Sequence, residues 1–188
     1  MSWRDGWWSG ARTIVSPNFG PRPGGAAVSL VVLHSISLPP GEYGGDAVQR
    51  LFTNTLDVDA HAAFAGLRGL QVSAHFFLRR DGALLQFVSC DERAWHAGVS
   101  SWRGRDNCND YSIGIELEGL EGESFEAVQY ERLATLLRVL QKRYGRVDVA
   151  GHEHVAPGRK GDPGSGFNWP GLIGRLRWRA ERFPPAPA

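Results

Sequence analysis

The sequence predicts a single α/β (α+β) domain, a central mixed β-sheet with helices packed on it. Three observations carry that prediction. Val28–Leu33 is a nearly continuous apolar, β-branched run, the pattern of a central strand buried on both faces. Phe125–Tyr144 repeats apolar residues at helical spacing. The order of elements alternates strand, hairpin, strand, long helix and short strand, with the polar, chemistry-bearing residues gathered where the strands end. At 188 residues, 42% apolar and 22% charged, the chain is one ordinary globular domain with room for a core. A net charge of +1 points away from nucleic acid and from an anionic membrane as partners. No apolar run approaches a membrane span, and the N-terminal MSWRDGWWSGAR has no apolar signal core, so a cytoplasmic location is expected. Two isolated cysteines, Cys90 and Cys108, read as buried free thiols.

Taken in order, residues 1–27 read as an irregular arm, punctuated by Ser16-Pro17-Asn18 and Pro21-Arg22-Pro23-Gly24-Gly25. The Val28–Leu33 strand ends in His34, and Leu38-Pro39-Pro40-Gly41 must leave the sheet. A short helix is expected near Asp46–Phe52, followed by a loop that leaves His61 on the surface. Val72–Leu78 and Ala83–Val88 flank Asp81-Gly82, a hairpin signal. Ala94–Gly98 is a loop that sets Trp95 beside His96, and its functional reading is a substrate wall. In Tyr111–Gly119, Tyr111, Ile113, Ile115 and Leu117 alternate with Ser112, Gly114, Glu116 and Glu118. Glu116 thus shares a face with two small residues that leave open space before it, while Glu118 fits an exposed strand end. The Phe125–Tyr144 helix uses Val128, Leu133, Leu136, Leu137, Leu140 and Tyr144 as its apolar face and stops at Gly145. Val147–Ala150 is a short strand. A last helix is expected from Trp169-Pro170 to Arg182, its arginines on a solvated face, with Pro184–Ala188 as a disordered tail.

The site chemistry centres on Gly151–Gly164, GHEHVAPGRKGDPG, a Gly/Pro-rich loop carrying two histidines, a lysine and an aspartate. With His34 from the first core strand, it offers two imidazoles and a carboxylate, a known catalytic zinc set that leaves the fourth position open. His152 or His154 could be the second histidine, and Asp148 or Asp162 the carboxylate; position at the strand end and before Pro163 favours His152 and Asp162. A mid-strand carboxylate is costly unless partnered, which makes Glu116 a candidate general base. Lys160 supplies a fixed cation for a developing oxyanion. Together these describe metal-assisted amide hydrolysis, and the absence of HExxH excludes a helix-borne zincin.

Val31–Gly41, Val72–His75, Arg93–Ser100, Cys108–Gly119, Gly151-His152 and Arg159–Gly164 together resemble the AmpD-type 1,6-anhydro-N-acetylmuramoyl-L-alanine amidases, in register over nearly the whole chain. Their wider group includes phage lysozyme-like amidases and the peptidoglycan recognition proteins. The resemblance implies an amidase domain over residues 1–183 and one zinc ion on His34, His152 and Asp162. It implies Glu116 as proton acceptor, Lys160 as transition-state stabiliser, and Trp95 and His96 as substrate contacts. The implied substrate is an anhydro-muropeptide cut between the lactyl group and L-alanine, by a monomer acting in cell-wall recycling. Ser35, Gln71 and Asn107 depart from the pattern: asparagine is expected at the first position and arginine at the other two, which weakens the hold on a peptide carboxylate. The rival readings are an amidase of intact peptidoglycan and a non-catalytic peptidoglycan-binding module.

Overall fold

A computed structural model describes residues 1–185, so the expectation for the tail falls partly on residues 186–188, outside the described residues. The central sheet has six strands, β1 (Arg12–Thr13), β2 (Leu30–Ile36), β3 (Phe76–Leu78), β4 (Leu84–Gln86), β5 (Ser112–Glu118) and β6 (Asp148–Gly151), in the order β6-β2-β5-β3-β4-β1. It is mixed. β6, β2, β5 and β3 run parallel, β3 and β4 form the antiparallel hairpin, and β1 joins β4 in parallel.

One face of this sheet carries the long helix α2 (Ala127–Tyr144). Val31 and Leu33 of β2 and Ile113, Ile115 and Leu117 of β5 pack there with Leu133, Leu136, Leu137 and Leu140, all fully buried. A capping box starts the helix: the Glu126 side chain accepts from the Gln129 backbone, and Gln129 Oε1 accepts from the Glu126 N–H at 2.9 Å. Gly145, at φ 77°, ends it. Val128 departs from the expected apolar face and is 37% exposed, because it lies on the side of α2 beside the hairpin turn at Gly82. The opposite sheet face is covered by α1 (Ala47–Phe52) and by the loops that build the site. Both cysteines are buried and free, and no helix among the described residues is long and apolar enough to cross a membrane.

Several expectations need correction. The arm is not irregular throughout: Trp3–Arg4 pairs with Trp7–Trp8 around Asp5-Gly6, both at positive φ, and β1 closes one sheet edge. Its Arg22 guanidinium reaches the carbonyls of Asp110 and Ser112 at 3.0 Å and of Cys90 at 3.2 Å, stitching the arm to the start of β5. β2 starts two residues later than expected and continues to Ile36, since Leu117 and Glu118 of β5 still pair with Ser35 and Ile36. The last helix, α4 (Trp169–Leu176), which follows the single turn α3 (His152–Val155), stops six residues short of Arg182. Arg177 takes φ 54°, and the chain then folds back so that Arg182, buried rather than solvated, donates to the Val147 carbonyl and covers Trp178.

Glu118 is the other reversal: it is 4% exposed, and its two oxygens accept from the N–H groups of Gly44 at 2.7 Å and Arg80 at 2.9 Å. Replacing it by alanine leaves both donors without that partner, at a cost of about 2 kcal/mol. Denaturant unfolding of Glu118→Ala should show that loss, and Glu118→Gln, which keeps one acceptor oxygen, a smaller one.

Candidate active site

The site lies at the C-terminal ends of three adjacent parallel strands, where open α/β sheets bind ligands. Register does most of the placing. His34 of β2 pairs directly with Glu116 of β5, and Gly151 of β6 pairs with Leu33, so His152 emerges beside His34. Because side chains alternate, His34 and Glu116 both point away from α2. Asp162 comes from the following loop, which folds back so that the Glu153 N–H donates to the Asp162 carbonyl at 2.8 Å.

Three ligand atoms converge. His34 Nδ1 lies 3.0 Å from His152 Nδ1 and 3.1 Å from Asp162 Oδ2, and His152 Nδ1 lies 3.2 Å from the same oxygen. Both histidines are buried and the aspartate side chain is 16% exposed. Among the described residues this is the only cluster of three such groups arranged to hold a metal ion. The donor set fits a cation: protons cannot satisfy all three edges of a triangle of two imidazole nitrogens and one oxygen, whereas a single cation takes a lone pair from each. The choices open at the sequence level also resolve geometrically. His154 Nδ1 accepts from the Gly151 N–H at 3.1 Å and its ring sits against Trp169, while Asp148 accepts from Trp102 Nε1 and pairs with Arg103 at 3.3 Å. Neither joins the cluster.

Burial and hydrogen bonding move His34, Asp162 and Glu116 away from their ordinary titration ranges. Burial pushes His34 down to about 4, against the pull of Asp162, so the ring is neutral near pH 7 as a ligand must be. For Asp162 burial acts upward, but hydrogen bonds to His152 and His34 outweigh it and hold the carboxyl well below its usual range. Glu116 is 9% exposed, and its Oε2 has no hydrogen-bond partner among the described residues. Burial and then the charge of Asp162 raise its pKa well above the ordinary value, with Lys160 opposing.

Glu116 and the three clustered residues share a cavity of about 300 Å³ with Lys160, which is exposed at its rim. Ile36, Leu38, Leu67, Val72 and Trp95 form the facing, largely apolar wall. A larger cleft of about 430 Å³ around Arg22 and Tyr144 holds no such ligand cluster, so chemistry rather than size marks the site. His96 also lines the cavity, but both its ring nitrogens face protein groups, His34 Nε2 at 3.0 Å and Ser112 Oγ at 3.1 Å. The open space expected before Gly114 is therefore filled by this ring. Ser35 lines the cavity, Gln71 borders a neighbouring small cleft, and Asn107 sits at φ 56°, a conformation asparagine tolerates.

Sequence reasoning gave no role to His75, which is fully buried, accepts from the Gly114 N–H at 3.0 Å through Nδ1 and faces the Glu92 carbonyl through Nε2 at 3.1 Å. The apolar stretch Val72–Phe77 around it was the available signal.

The sequence profile of N-acetylmuramoyl-L-alanine amidases matches residues 24–165, three quarters of the chain. The chain belongs to the N-acetylmuramoyl-L-alanine amidase family. Within it, the 1,6-anhydro-N-acetylmuramyl-L-alanine amidase AmpD of Citrobacter freundii is 50% identical over 167 residues, covering 88% of this chain and 89% of the relative. A crystal structure of a selenomethionine AmpD derivative superposes with a TM-score of 0.91 at 47% identity, covering 94% of this chain and 99% of the other. The amidase AmiD of Escherichia coli, solved with the substrate anhydro-N-acetylmuramic acid-L-Ala-D-γ-Glu-L-Lys, superposes at 0.58 with 30% identity, over 83% of this chain and 58% of that one. The mixed sheet flanked by helices is thus the fold of this amidase family.

Burial holds the His75 pKa at about 3, from an ordinary value near 6.5. As pH falls through 6.5 the unfolded chain takes up this proton and the native chain does not until near 3. Stability present above pH 6.5 is therefore lost across that window, at about 1.4 kcal/mol per pH unit from this group. Unfolding of the metal-free chain at several pH values should give a shallower slope for His75→Gln than for the parent.

Proposed function

We propose that the chain is a zinc-dependent amidase that hydrolyses the amide between the lactyl group of 1,6-anhydro-N-acetylmuramic acid and L-alanine in cell-wall muropeptides. The reaction belongs to peptidoglycan recycling, and the reading includes one zinc ion, a monomer and a cytoplasmic location. One observation carries it: an unpartnered buried carboxylate, Glu116, opens into the same small cavity as the His34, His152 and Asp162 cluster. The half-identical relatives named for the anhydro-muramyl amide support the choice of substrate.

His34 Nδ1, His152 Nδ1 and Asp162 Oδ2 would hold the ion. When bound, zinc supplies Lewis-acid polarisation of a carbonyl and acidifies water. The remaining work falls to the chain's own residues. Glu116, whose raised pKa reflects a site hostile to its charge, takes the proton of the attacking water and delivers it to the leaving nitrogen of alanine as the C–N bond breaks. Lys160 at the rim meets the negative charge that develops on the carbonyl oxygen. The apolar wall with Trp95 receives the uncharged faces of the substrate and limits water.

The test is mass spectrometry of products after zinc-loaded protein meets an anhydro-muramyl tripeptide and, separately, intact wall sacculi. Release of free tripeptide from the small substrate, abolished by a chelator, is expected; preferential action on sacculi indicates a lytic amidase, and no cleavage of either a binding module. Glu116→Gln should keep zinc and lose about 10²–10⁴-fold in kcat, and Lys160→Met about 10²–10³-fold. Asp162→Ala should lose stoichiometric metal; full zinc and activity in that variant would sink the site.

A further inference from the structure

Each imidazole facing Asp162 has a second nitrogen, and the partner of that nitrogen decides how the ring is held. His152 Nε2 lies 3.1 Å from the carbonyl oxygen of Ala97. A carbonyl only accepts, so this nitrogen carries the proton and Nδ1 keeps its lone pair. Arg159 Nη2 is 3.4 Å from the same nitrogen, but its two hydrogens go to the carbonyls of Ala97 at 2.6 Å and Val99 at 2.7 Å. His34 Nε2 faces His96 Nδ1, whose own Nε2 faces Ser112 Oγ. Protons on Nε2 of both rings satisfy the run from His34 through His96 to Ser112 and leave His34 Nδ1 a lone pair as well.

Two consecutive residues therefore supply the outer partners of both ligand histidines. Those residues are themselves fixed. Asn109 Oδ1 accepts from the N–H of His96 at 3.1 Å and of Ala97 at 2.8 Å. Gly114 provides the seat, since a Cβ there would stand 2.5 Å from His96 Cγ.

We infer that the His96–Ala97 segment, pinned by Asn109, is a positioning element that holds His34 and His152 with Nδ1 toward the metal. The inference rests on the zinc reading above. With both ring nitrogens spent on protein partners, His96 acts through metal affinity and kcat, not through a polar contact to substrate.

Chelator competition for zinc, with kcat and KM measured separately, tests this on the full chain and four variants. His96→Ala and Asn109→Ala should bind zinc about 10–100-fold more weakly, with KM little changed. His96→Gln and Asn109→Asp, which retain acceptor oxygens, should restore most of the affinity. The Asn109 pair does not line the cavity, so the inference stays testable if His96→Ala fails to fold. Parental zinc affinity in both alanine variants, or a rise in KM alone for His96→Ala, overturns it. A parent chain with no zinc affinity overturns the zinc reading and this inference together; tight binding by the parent beside unaffected variants overturns this inference alone.

Discussion

Two imidazole nitrogens 3.0 Å apart, turned toward one carboxylate oxygen, are the constraint on which the rest of this molecule depends. Burying such a cluster is costly without a cation to share, because lone pairs crowd together away from water. The fold supplies the rigidity that keeps them there. Three parallel strands set His34, His152 and Glu116 side by side, and the apolar contacts beneath, from Leu33 and Ile115 to Leu137 on α2, fix the strands. The loop bearing Asp162 closes the triangle by returning onto α3.

Burial and hydrogen bonding together divide labour among the ionisable groups. His34 and His75 stay neutral because a charge on either would be stranded from solvent, Asp162 stays ionised because the histidines stabilise its charge, and Glu116 is pushed the other way. Two carboxylates of one cavity are thus driven apart in pKa: hydrogen bonds to two imidazoles hold Asp162 down against its burial, while burial and then the charge of Asp162 push Glu116 up. In the proposed reaction that separation lets one serve as ligand and the other exchange a proton.

Much of this was legible in the sequence, for identifiable reasons. The apolar run before His34 and the alternation around Glu116 are strong patterns because strands buried on both faces or on alternating faces impose them. The loop from Gly151 to Gly164 concentrated polar groups where Gly and Pro forbid a long regular element. What stayed hidden depends on contacts remote in sequence. Asp5-Gly6 carries a local hairpin signal, but the partners of Arg22 lie on segments some seventy to ninety residues away. Glu118 looked like an exposed strand end because nothing local announces that Gly44 and Arg80 bring their N–H groups to it. The small residues Ser112 and Gly114 announced space before the strand, but not that the ring of His96 would occupy it. The arginine-rich C-terminus read as helix by composition, whereas the buried bond from Arg182 to Val147 bends it back.

The most direct measurement is an anomalous-scattering map of zinc-loaded crystals collected across the zinc edge. The account predicts one strong peak bounded by Nδ1 of His34, Nδ1 of His152 and Oδ2 of Asp162, with its open side toward Glu116. A peak ligated by His96 or His154, or none at this cluster in protein that cleaves the anhydro-muropeptide, would contradict it.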